Sequence, residues 1–306
     1  MTGAVSKNLS SSPIAIIGAG TLGRRIALMM CAHGAHVRLY DIRSESLNSA
    51  MRFIEAQLPL LVLKTSCTIG QIEFSKTMVE AVKDTWLVIE AIPENIDLKR
   101  SLFSELDRIS PRNAILASNS SSYPSSKFVD NISTERCLRF VNTHFYMPPV
   151  QNAVEIGSCG FTDKIVINHL MDQMRAHGFY PFAIRKESIG FIFNRVWAAV
   201  KRECLQVVAT GVSTPDDIDA IYKLCLGAHA GPFEIMDKVG LDVVYNIEEN
   251  YVDNDLTLSD LPLTLLHFYL KEGFLGAKSG CGFYLYDEGG DIISINPHYT
   301  KLDIHL

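Results

Sequence analysis

A glycine-rich motif near the start of the chain constrains the fold more than any other feature. Residues 18–23 read GAGTLG, which is the pattern G-x-G-x-x-G, and they follow a short apolar run at residues 13–17. The motif opens a segment, residues 22–33, whose apolar side chains recur at helical spacing. The next apolar run ends at Asp41, 18 residues beyond the motif. A strand, a glycine turn, a helix and a second strand ending in a carboxylate are the fingerprint of a dinucleotide-binding βαβ unit.

Each position of the motif has a physical role in such a unit. Gly18 allows the tight turn, Gly20 lets the backbone approach a pyrophosphate, and Gly23 lets the helix pack closely on the strand. The N-terminus of the helix, with Thr21 and Leu22, offers free N–H groups and a partial positive charge to the phosphates. We therefore take these five residues as candidate cofactor-binding residues. An ordinary glycine-rich turn is the alternative interpretation.

Asp41 favours NAD over NADP, because its carboxylate accepts hydrogen bonds from ribose hydroxyls and repels a 2′-phosphate. Arg43 weakens this preference a little, since a nearby arginine can accept that phosphate, and we count it among the cofactor candidates. FAD proteins share the fingerprint, but the chain shows no second segment typical of flavin binding.

Strand and helix patterns alternate through the first part of the chain, which predicts an α/β fold with a Rossmann-type, doubly wound sheet. The later part shows helical patterns and a single strand pattern that ends at Tyr286. The helical patterns cover residues 190–209, 215–226, 232–249 and 262–270. We expect a flexible tail at 1–12, an NAD-binding domain at 13–187 and a smaller all-α C-terminal domain at 188–306.

Composition excludes several classes of protein. Of the 306 residues, 47% are hydrophobic and 20% are charged, as in ordinary globular proteins, and the formal net charge is −6. Through Glu187 there are 20 basic and 17 acidic residues, and after it there are 8 and 17. The chain has no basic patch that would bind nucleic acid. The mildly basic first part is the better host for an anion.

The cysteines and the apolar runs indicate where the chain works. Seven cysteines are scattered without metal-ligand spacing, so we expect reduced thiols and no metal. The longest apolar runs are too short to cross a bilayer, and the first residues do not resemble a secretion signal. We expect a cytoplasmic protein without a membrane partner.

His144 is the candidate general base. Hydride transfer from an alcohol carbon requires a base for the hydroxyl proton, and the histidine pKa of about 6.5 suits this task. His144 follows an apolar strand pattern, and ligands of open α/β sheets bind outside the carboxyl ends of strands. Glu155 lies in the next strand pattern, where a buried carboxylate needs a partner. If the chain returns alongside, Glu155 can hold the far imidazole nitrogen and stabilise the imidazolium.

Two further segments carry polar groups that suit a site. The run at residues 118–122, SNSSS, follows a strand pattern, so it either lines a polar pocket or forms a solvated loop. We take Asn119 of this run as a cofactor candidate. Asn194 lies in an otherwise apolar helix, where it needs a partner either from the protein or from a ligand.

Several motifs, in order, resemble the 3-hydroxyacyl-CoA dehydrogenase family, including its lambda-crystallin and hydroxy-acid relatives. The resemblance extends from Ile14 to about Tyr286. Besides His144 and Glu155, it rests on residues 16–23 (IIGAGTLG), 88–95 (VIEAIPEN), 117–122 (ASNSSS), 190–195 (GFIFNR), 231–242 (GPFEIMDKVGLD) and 278–284 (KSGCGFY).

The resemblance implies a role for each matching residue. It implies that His144 is the general base and Glu155 its orienting carboxylate. Ser121 would hydrogen-bond the reacting oxygen, and Asn194 would position substrate and nicotinamide. Glu94 and Lys99 match residues that contact the cofactor. The resemblance also implies a homodimer formed through the helical domain.

The substrate stays open at this point between a 3-hydroxyacyl thioester and a free acid. The segment from Asp41 to Val88 is shorter than the helical hairpin that helps acyl-CoA enzymes of the family hold the CoA tail. Its basic residues are chiefly Arg52 and Lys64. The alternatives are a small hydroxy-acid (gulonate-like) dehydrogenase and a non-catalytic, crystallin-like NAD-binding protein.

Overall fold

The computed structural model describes residues 12–65, 68–121 and 123–301. The tail predicted at 1–12 therefore lies, apart from Ser12, outside the described residues. The chain divides into two compact units, Met1–Ile192 and Phe193–Leu306.

The first unit is built on one large sheet. Within the described residues its strands are β1 (Ile14–Ile17), β2 (His36–Tyr40), β3 (Gln71–Phe74), β4 (Leu87–Glu90), β5 (Ile115–Ser118), β6 (Phe140–Phe145), β7 (Ala153–Ser158) and β8 (Tyr180–Ile184). Its α-helices are α1 (Thr21–Ala32), α2 (Ser44–Thr65), α3 (Met78–Val82), α4 (Ile96–Ile109), α5 (Thr134–Cys137) and α6 (Lys164–Ala176).

The strand order is β3-β2-β1-β4-β5-β6-β7-β8. Neighbouring strands are parallel except β6 and β7, which are antiparallel. The order reverses between β1 and β4, and this switch point opens a crevice at the carboxyl ends of the strands. The glycine motif, Asp41 and His144 all lie at those ends.

Helices cover both faces of the sheet. Residues of α1, α2 and α6 pack in one core with Ile14 and Ile16 of β1, and residues of α3 and α4 pack in another with Ala15 and Ile17. Successive side chains of a strand point to opposite faces, so the two cores lie on opposite sides of the sheet. The predicted Rossmann-type fold is confirmed. Residues 44–65 form the single helix α2.

The second unit is mostly helical, as predicted. Its α-helices, within the described residues, are α7 (Phe193–Ala209), α8 (Pro215–Leu226), α9 (Pro232–Val239), α10 (Leu241–Asn254) and α11 (Leu261–Lys271). The strand pattern at Tyr286 becomes β9 (Tyr284–Tyr286), which pairs antiparallel with β10 (Ile292–Ile295). This two-stranded ribbon is the one β element beside the helices that were predicted for this part of the described chain. A second strand is needed because the backbone groups of a lone strand lack partners.

Gly240 divides the helix that is predicted over residues 232–249. Its φ of +102° ends α9 and starts α10. A side chain there would be strained, because φ lies in the region that favours glycine.

Buried aspartates tie the helices of the second unit to the ribbon. Asp237 of α9 is fully buried and accepts the N–H groups of Phe283 at 3.0 Å and Tyr284 at 2.9 Å, as well as the hydroxyl of Tyr286 at 3.0 Å. Burial raises the pKa of Asp237 to about 6. Asp219 of α8 accepts the hydroxyl of Tyr284 at 2.8 Å. The motifs at 231–242 and 278–284 thus supply contacts that hold this unit together.

Among the described residues, no helix has both the length and the hydropathy needed to cross a membrane. The same part of the chain contains no group of three or more His, Cys, Asp or Glu side chains suited to a metal ion.

Candidate active site

The glycine motif forms the turn between β1 and α1, and close packing explains two of its glycines. Gly18 has a φ of +108°, and a Cβ there would lie 2.4 Å from the carbonyl oxygen of Ala91. A Cβ at Gly23 would lie 1.9 Å from the carbonyl oxygen of Gly18. A Cβ at Gly20 would meet no atom within 4 Å. The surface above Gly20 is therefore open to a ligand that approaches the backbone.

The N-terminus of α1 suits an anion. Gly20 is its N-cap, no side chain caps the helix, and its first turn contains no acidic residue. The first N–H groups of a helix lack partners within the helix, and the helix dipole adds positive charge there. The backbone of Thr21, Leu22 and Gly23 can thus bind a pyrophosphate, so these residues fit a dinucleotide.

Asp41 is held directly against the glycine motif. Its Oδ2 accepts the N–H of Ala19 at 2.8 Å, and its Oδ1 accepts the N–H of Arg43 at 2.9 Å. Each carboxylate oxygen has two lone pairs, so both oxygens keep the capacity to accept ribose hydroxyls. The Arg43 side chain is mostly exposed, and its Nε lies 3.9 Å from Oδ1.

His144 and Glu155 lie opposite each other on antiparallel strands. The register of β6 and β7 pairs His144 with Glu155, and Nδ1 of the imidazole lies 3.5 Å from Oε2 of the carboxylate. Both residues are buried, at 6% and 2% exposure. The antiparallel return of the chain after β6 therefore places a carboxylate beside Nδ1 of the histidine, an arrangement that can orient an imidazole and stabilise its protonated form.

Aromatic rings flank His144 on two sides. The centroid of its ring lies 4.7 Å from that of Tyr146 and 5.6 Å from that of Phe191. Phe191 has a φ of +52°, which is rare for a residue with a bulky side chain. The turn that holds it also directs the N–H of Ile192 to Oε2 of Glu155 at 3.3 Å. Strained backbone of this kind clusters at functional sites.

Tyr146 binds the same carboxylate. Its hydroxyl donates to Oε1 of Glu155 at 2.7 Å. Sequence reasoning missed Tyr146, Phe191 and Ile192 as parts of the site. For Tyr146 the spacing was a usable signal, because it stands two residues after His144 and so on the same face if the strand continues.

The serine run after β5 is fastened to the segment around His144. Oδ1 of Asn119 accepts the N–H of Phe145 at 2.9 Å, and the carbonyl of Ser120 accepts the side-chain N–H of Asn142 at 3.3 Å. β5 and β6 are parallel neighbours, so their carboxyl ends meet at the same edge. Ser121, which is half-buried, thereby belongs to the loop beside His144.

Glu94 and Lys99 form an ion-pair network with Glu90, in which Lys99 and Glu90 are buried. The Lys99 ammonium is 1% exposed and lies 2.6 Å from Oε1 of Glu90 and 3.2 Å from Oε2 of Glu94. Glu94 in turn accepts the hydroxyl of Ser120 at 2.5 Å. Glu94 has exposed surface, and Lys99 lies beneath it. Glu90 was missed, although a carboxylate that ends an apolar strand signals a buried partner.

Asn194 is the second residue of α7 and belongs to the second unit, whereas the other candidate residues belong to the first. It is half-buried.

Two family models match the chain in succession. One is described as the NAD-binding domain of 3-hydroxyacyl-CoA dehydrogenase and matches residues 13–188. The other is described as the C-terminal domain of 3-hydroxyacyl-CoA dehydrogenase and matches residues 190–286. The chain belongs to the 3-hydroxyacyl-CoA dehydrogenase family. The predicted family and the predicted NAD cofactor are confirmed.

Similar proteins span nearly the whole of this dehydrogenase. It is 34% identical over 283 residues to a probable 3-hydroxybutyryl-CoA dehydrogenase of Bacillus subtilis (strain 168), covering 90% of this chain and 97% of that protein. It is 31% identical over 297 residues to human mitochondrial hydroxyacyl-coenzyme A dehydrogenase, covering 92% of this chain and 94% of that protein. The crystal structure of (S)-3-hydroxybutyryl-CoA dehydrogenase from Ralstonia eutropha matches with a TM-score of 0.82 at 29% identity, covering 91% and 100%.

This dehydrogenase is accordingly an NAD-dependent oxidoreductase that interconverts 3-hydroxyacyl compounds and their 3-oxo forms. The matches favour this activity over that of a small hydroxy-acid dehydrogenase. They also favour an enzyme over a crystallin-like structural protein.

Proposed function

We propose that this dehydrogenase acts on short-chain 3-hydroxyacyl-CoA thioesters and uses His144 as its general acid and base. The observation that carries the proposal is the contact of 3.5 Å between Nδ1 of His144 and Oε2 of Glu155, in a buried setting at the carboxyl end of β6. The relatives described as 3-hydroxybutyryl-CoA dehydrogenases support the short chain.

The proton path follows from that contact. In the oxidising direction Nε2 of His144 takes the proton of the substrate hydroxyl, while the C–H bond breaks and its hydride leaves. When bound, NAD supplies the acceptor of this hydride. Glu155 keeps the imidazole oriented and stabilises the imidazolium that forms. In the reducing direction His144 returns the proton to the oxygen of the 3-oxo group.

The other candidates support this chemistry. Ser121 hydrogen-bonds the reacting oxygen in this proposal and so stabilises its developing charge. Asn194 of the second unit remains a candidate for positioning the substrate. Gly18, Gly20, Thr21, Leu22 and Gly23 bind the pyrophosphate, and Asp41 and Arg43 lie at the adenosine ribose. Asn119 and Glu94 contact the nicotinamide half in this proposal. Lys99 was expected to contact the cofactor as well, but its ammonium is 1% exposed and paired with Glu90 and Glu94, so we propose that it acts through Glu94.

Two substitutions test the assignment of the base. His144→Gln is expected to lower kcat about 10²–10⁴-fold, the usual range for a general acid or base, while NADH still binds. Glu155→Gln should lower kcat less, because the imidazole stays in place. His267→Gln, at an exposed position of α11, is the matched control and should keep normal turnover. Normal turnover of His144→Gln would refute the proposal.

The substrate class has its own test. The single helix α2 stands where the acyl-CoA enzymes have a hairpin, and its basic side chains Arg52 and Lys64 are exposed. We expect kcat/KM for acetoacetyl-CoA to exceed that for free acetoacetate by about 10²-fold or more, because binding energy from the CoA tail contributes to catalysis. Equal values would instead favour a free acid as the substrate.

We also propose a homodimer formed through the second unit. Val196 of α7 and Ile221 and Leu224 of α8 are more than half exposed, and an interface between two copies would remove such apolar side chains from water. Leu224→Asp should reduce the mass measured by light scattering to that of a monomer. Leu63→Asp, at a similarly exposed leucine of the first unit, is the control. A monomeric wild-type protein would refute the dimer.

We propose residues 13–187 as the NAD-binding domain and 188–306 as the helical domain. The family matches and the division after Ile192 support this boundary to within a few residues. We place the protein in the cytoplasm on the basis of its cysteines, of which the six in the described residues are free. Cys67 lies outside the described residues.

A further inference from the structure

The carboxylate of Glu155 is shared between His144 and two further donors. Its Oε2 faces Nδ1 of His144 at 3.5 Å and accepts the N–H of Ile192 at 3.3 Å. Its Oε1 accepts the hydroxyl of Tyr146 at 2.7 Å, which is the shortest of these three contacts. The histidine therefore faces a carboxylate whose charge is also drawn toward a phenol.

We propose that Tyr146 is a positioning residue of the acid–base pair: its hydroxyl holds the Glu155 carboxylate and weakens the attraction of that carboxylate for the proton of His144. This inference rests on the proposed function, because it concerns His144 as the general base. It adds a residue that sets the strength of this base.

The position of Tyr146 is rigid enough for this role. Its N–H donates to the carbonyl of Ala153 at 3.2 Å, so the pairing of the two strands continues past the end of β6. Its ring packs against the imidazole, with centroids 4.7 Å apart. The hydroxyl is thus directed at Glu155 by the backbone on one side and by the ring of His144 on the other.

The direction of the effect follows from the charges. A hydrogen bond donated to the carboxylate stabilises its negative charge, and a carboxylate stabilised in this way attracts the imidazolium proton less. Burial and the nearby Glu155 carboxylate raise the pKa of Tyr146 above its usual value. Tyr146 therefore remains the donor throughout the working pH range, and its effect on His144 is constant.

The variant Tyr146→Phe removes only the hydroxyl. We expect the acidic limb of kcat/KM for hydroxyl oxidation, which reports His144 as a base, to move to higher pH by about half to one unit. The limb for 3-oxoacyl reduction, which requires protonated His144, should move in the same direction. Tyr180→Phe, at an exposed position of β8, is the matched control and should move neither limb.

An NMR titration of the His144 imidazole in the protein without ligands gives a second readout, with the signal assigned through His144→Gln. The same upward shift is expected in Tyr146→Phe. A fall in kcat without a shift of either limb or of the NMR pKa would overturn the inference, because a merely structural role has that outcome. Normal turnover of His144→Gln would overturn the proposed function instead, so the two failures are distinguishable.

Discussion

The buried lysine of the first unit allows a sharp prediction about stability. Lys99 is 1% exposed, and its ammonium is paired with Glu90 and Glu94. Glu90 is fully buried and also accepts the hydroxyl of Ser118 at 2.7 Å and the N–H of Ile92 at 2.9 Å. The variant Lys99→Met keeps most of the side-chain volume and removes the charge. It leaves the Glu90 carboxylate in the interior without its cation.

Breaking a buried pair by removing one partner costs about 3–5 kcal/mol, because the remaining charge is uncompensated. For a unit of this size, about 2–4 °C of Tm per kcal/mol corresponds to a loss of roughly 6–20 °C. Burial already raises the pKa of Glu90, and loss of Lys99 removes the attraction that opposes this shift. The carboxyl therefore protonates more readily in the folded state than in the unfolded state. The loss of stability should be largest at high pH and shrink as the pH falls.

Urea unfolding can measure this loss of stability for the first unit of the structure by itself. The chain has two tryptophans, and Trp86 is buried in the first unit, whereas Trp197 belongs to the second. In a Trp197→Phe background, the fluorescence of Trp86 reports the first unit alone. The double variant Glu90→Gln/Lys99→Met removes both charges and should recover most of the stability.

Two results would contradict a stabilising role for the charge of Lys99. A loss below about 1 kcal/mol would mean that the pair behaves like an exposed one. A loss that is independent of pH, or that the double variant does not recover, would mean that Lys99 acts through packing rather than through its charge.

Further substitutions test other parts of the account. Gly18→Ala should destabilise the first unit in urea unfolding by at least about 1–3 kcal/mol, because its Cβ would lie 2.4 Å from the Ala91 oxygen at a positive φ. Gly20→Ala should leave stability unchanged and weaken NADH binding in a fluorescence titration. The reverse pattern would contradict this assignment. Asp41→Ala should raise the Kd for NADH about 10–100-fold in the same titration, the effect of losing hydrogen bonds to a charged group. The variant should also bring the Kd for NADPH closer to the Kd for NADH. An unchanged preference for NADH would show that Asp41 does not select the cofactor. The pKa of Asp237 is raised to about 6 in the folded state, so its contribution to the unfolding free energy of the second unit should grow as the pH falls from about 7 to about 4. Asp237→Asn should abolish that part of the pH dependence. A pH profile identical to that of the wild type would contradict the assignment.

The local structure of the proposed cofactor site could be predicted in detail because its requirements are local. The glycine turn, the uncapped helix start and the carboxylate after β2 are each specified by a few neighbouring residues. Their meeting follows from the parallel pairing of β1 and β2, which the alternation of strand and helix patterns already predicts. The contact between Ala19 and Asp41 is the structural outcome of this pattern.

The surroundings of the base were only partly predictable. The pairing of His144 with Glu155 followed from two strand patterns joined by a short turn. The ring of Phe191 and the N–H of Ile192 reach the same pair from 36 or more residues further along the chain, through a backbone conformation that local preferences disfavour. The buried state of Lys99 was also beyond sequence reasoning, because lysine is normally exposed and its partner Glu90 belongs to another element.

We propose that His144 transfers the proton in the chemical step. A single-turnover experiment with NADH-loaded enzyme and saturating acetoacetyl-CoA measures this step directly by the loss of NADH absorbance. We expect a rate about 10²–10⁴-fold lower in His144→Gln than in the wild type, with the Kd for NADH unchanged. A single-turnover rate equal to that of the wild type would contradict it.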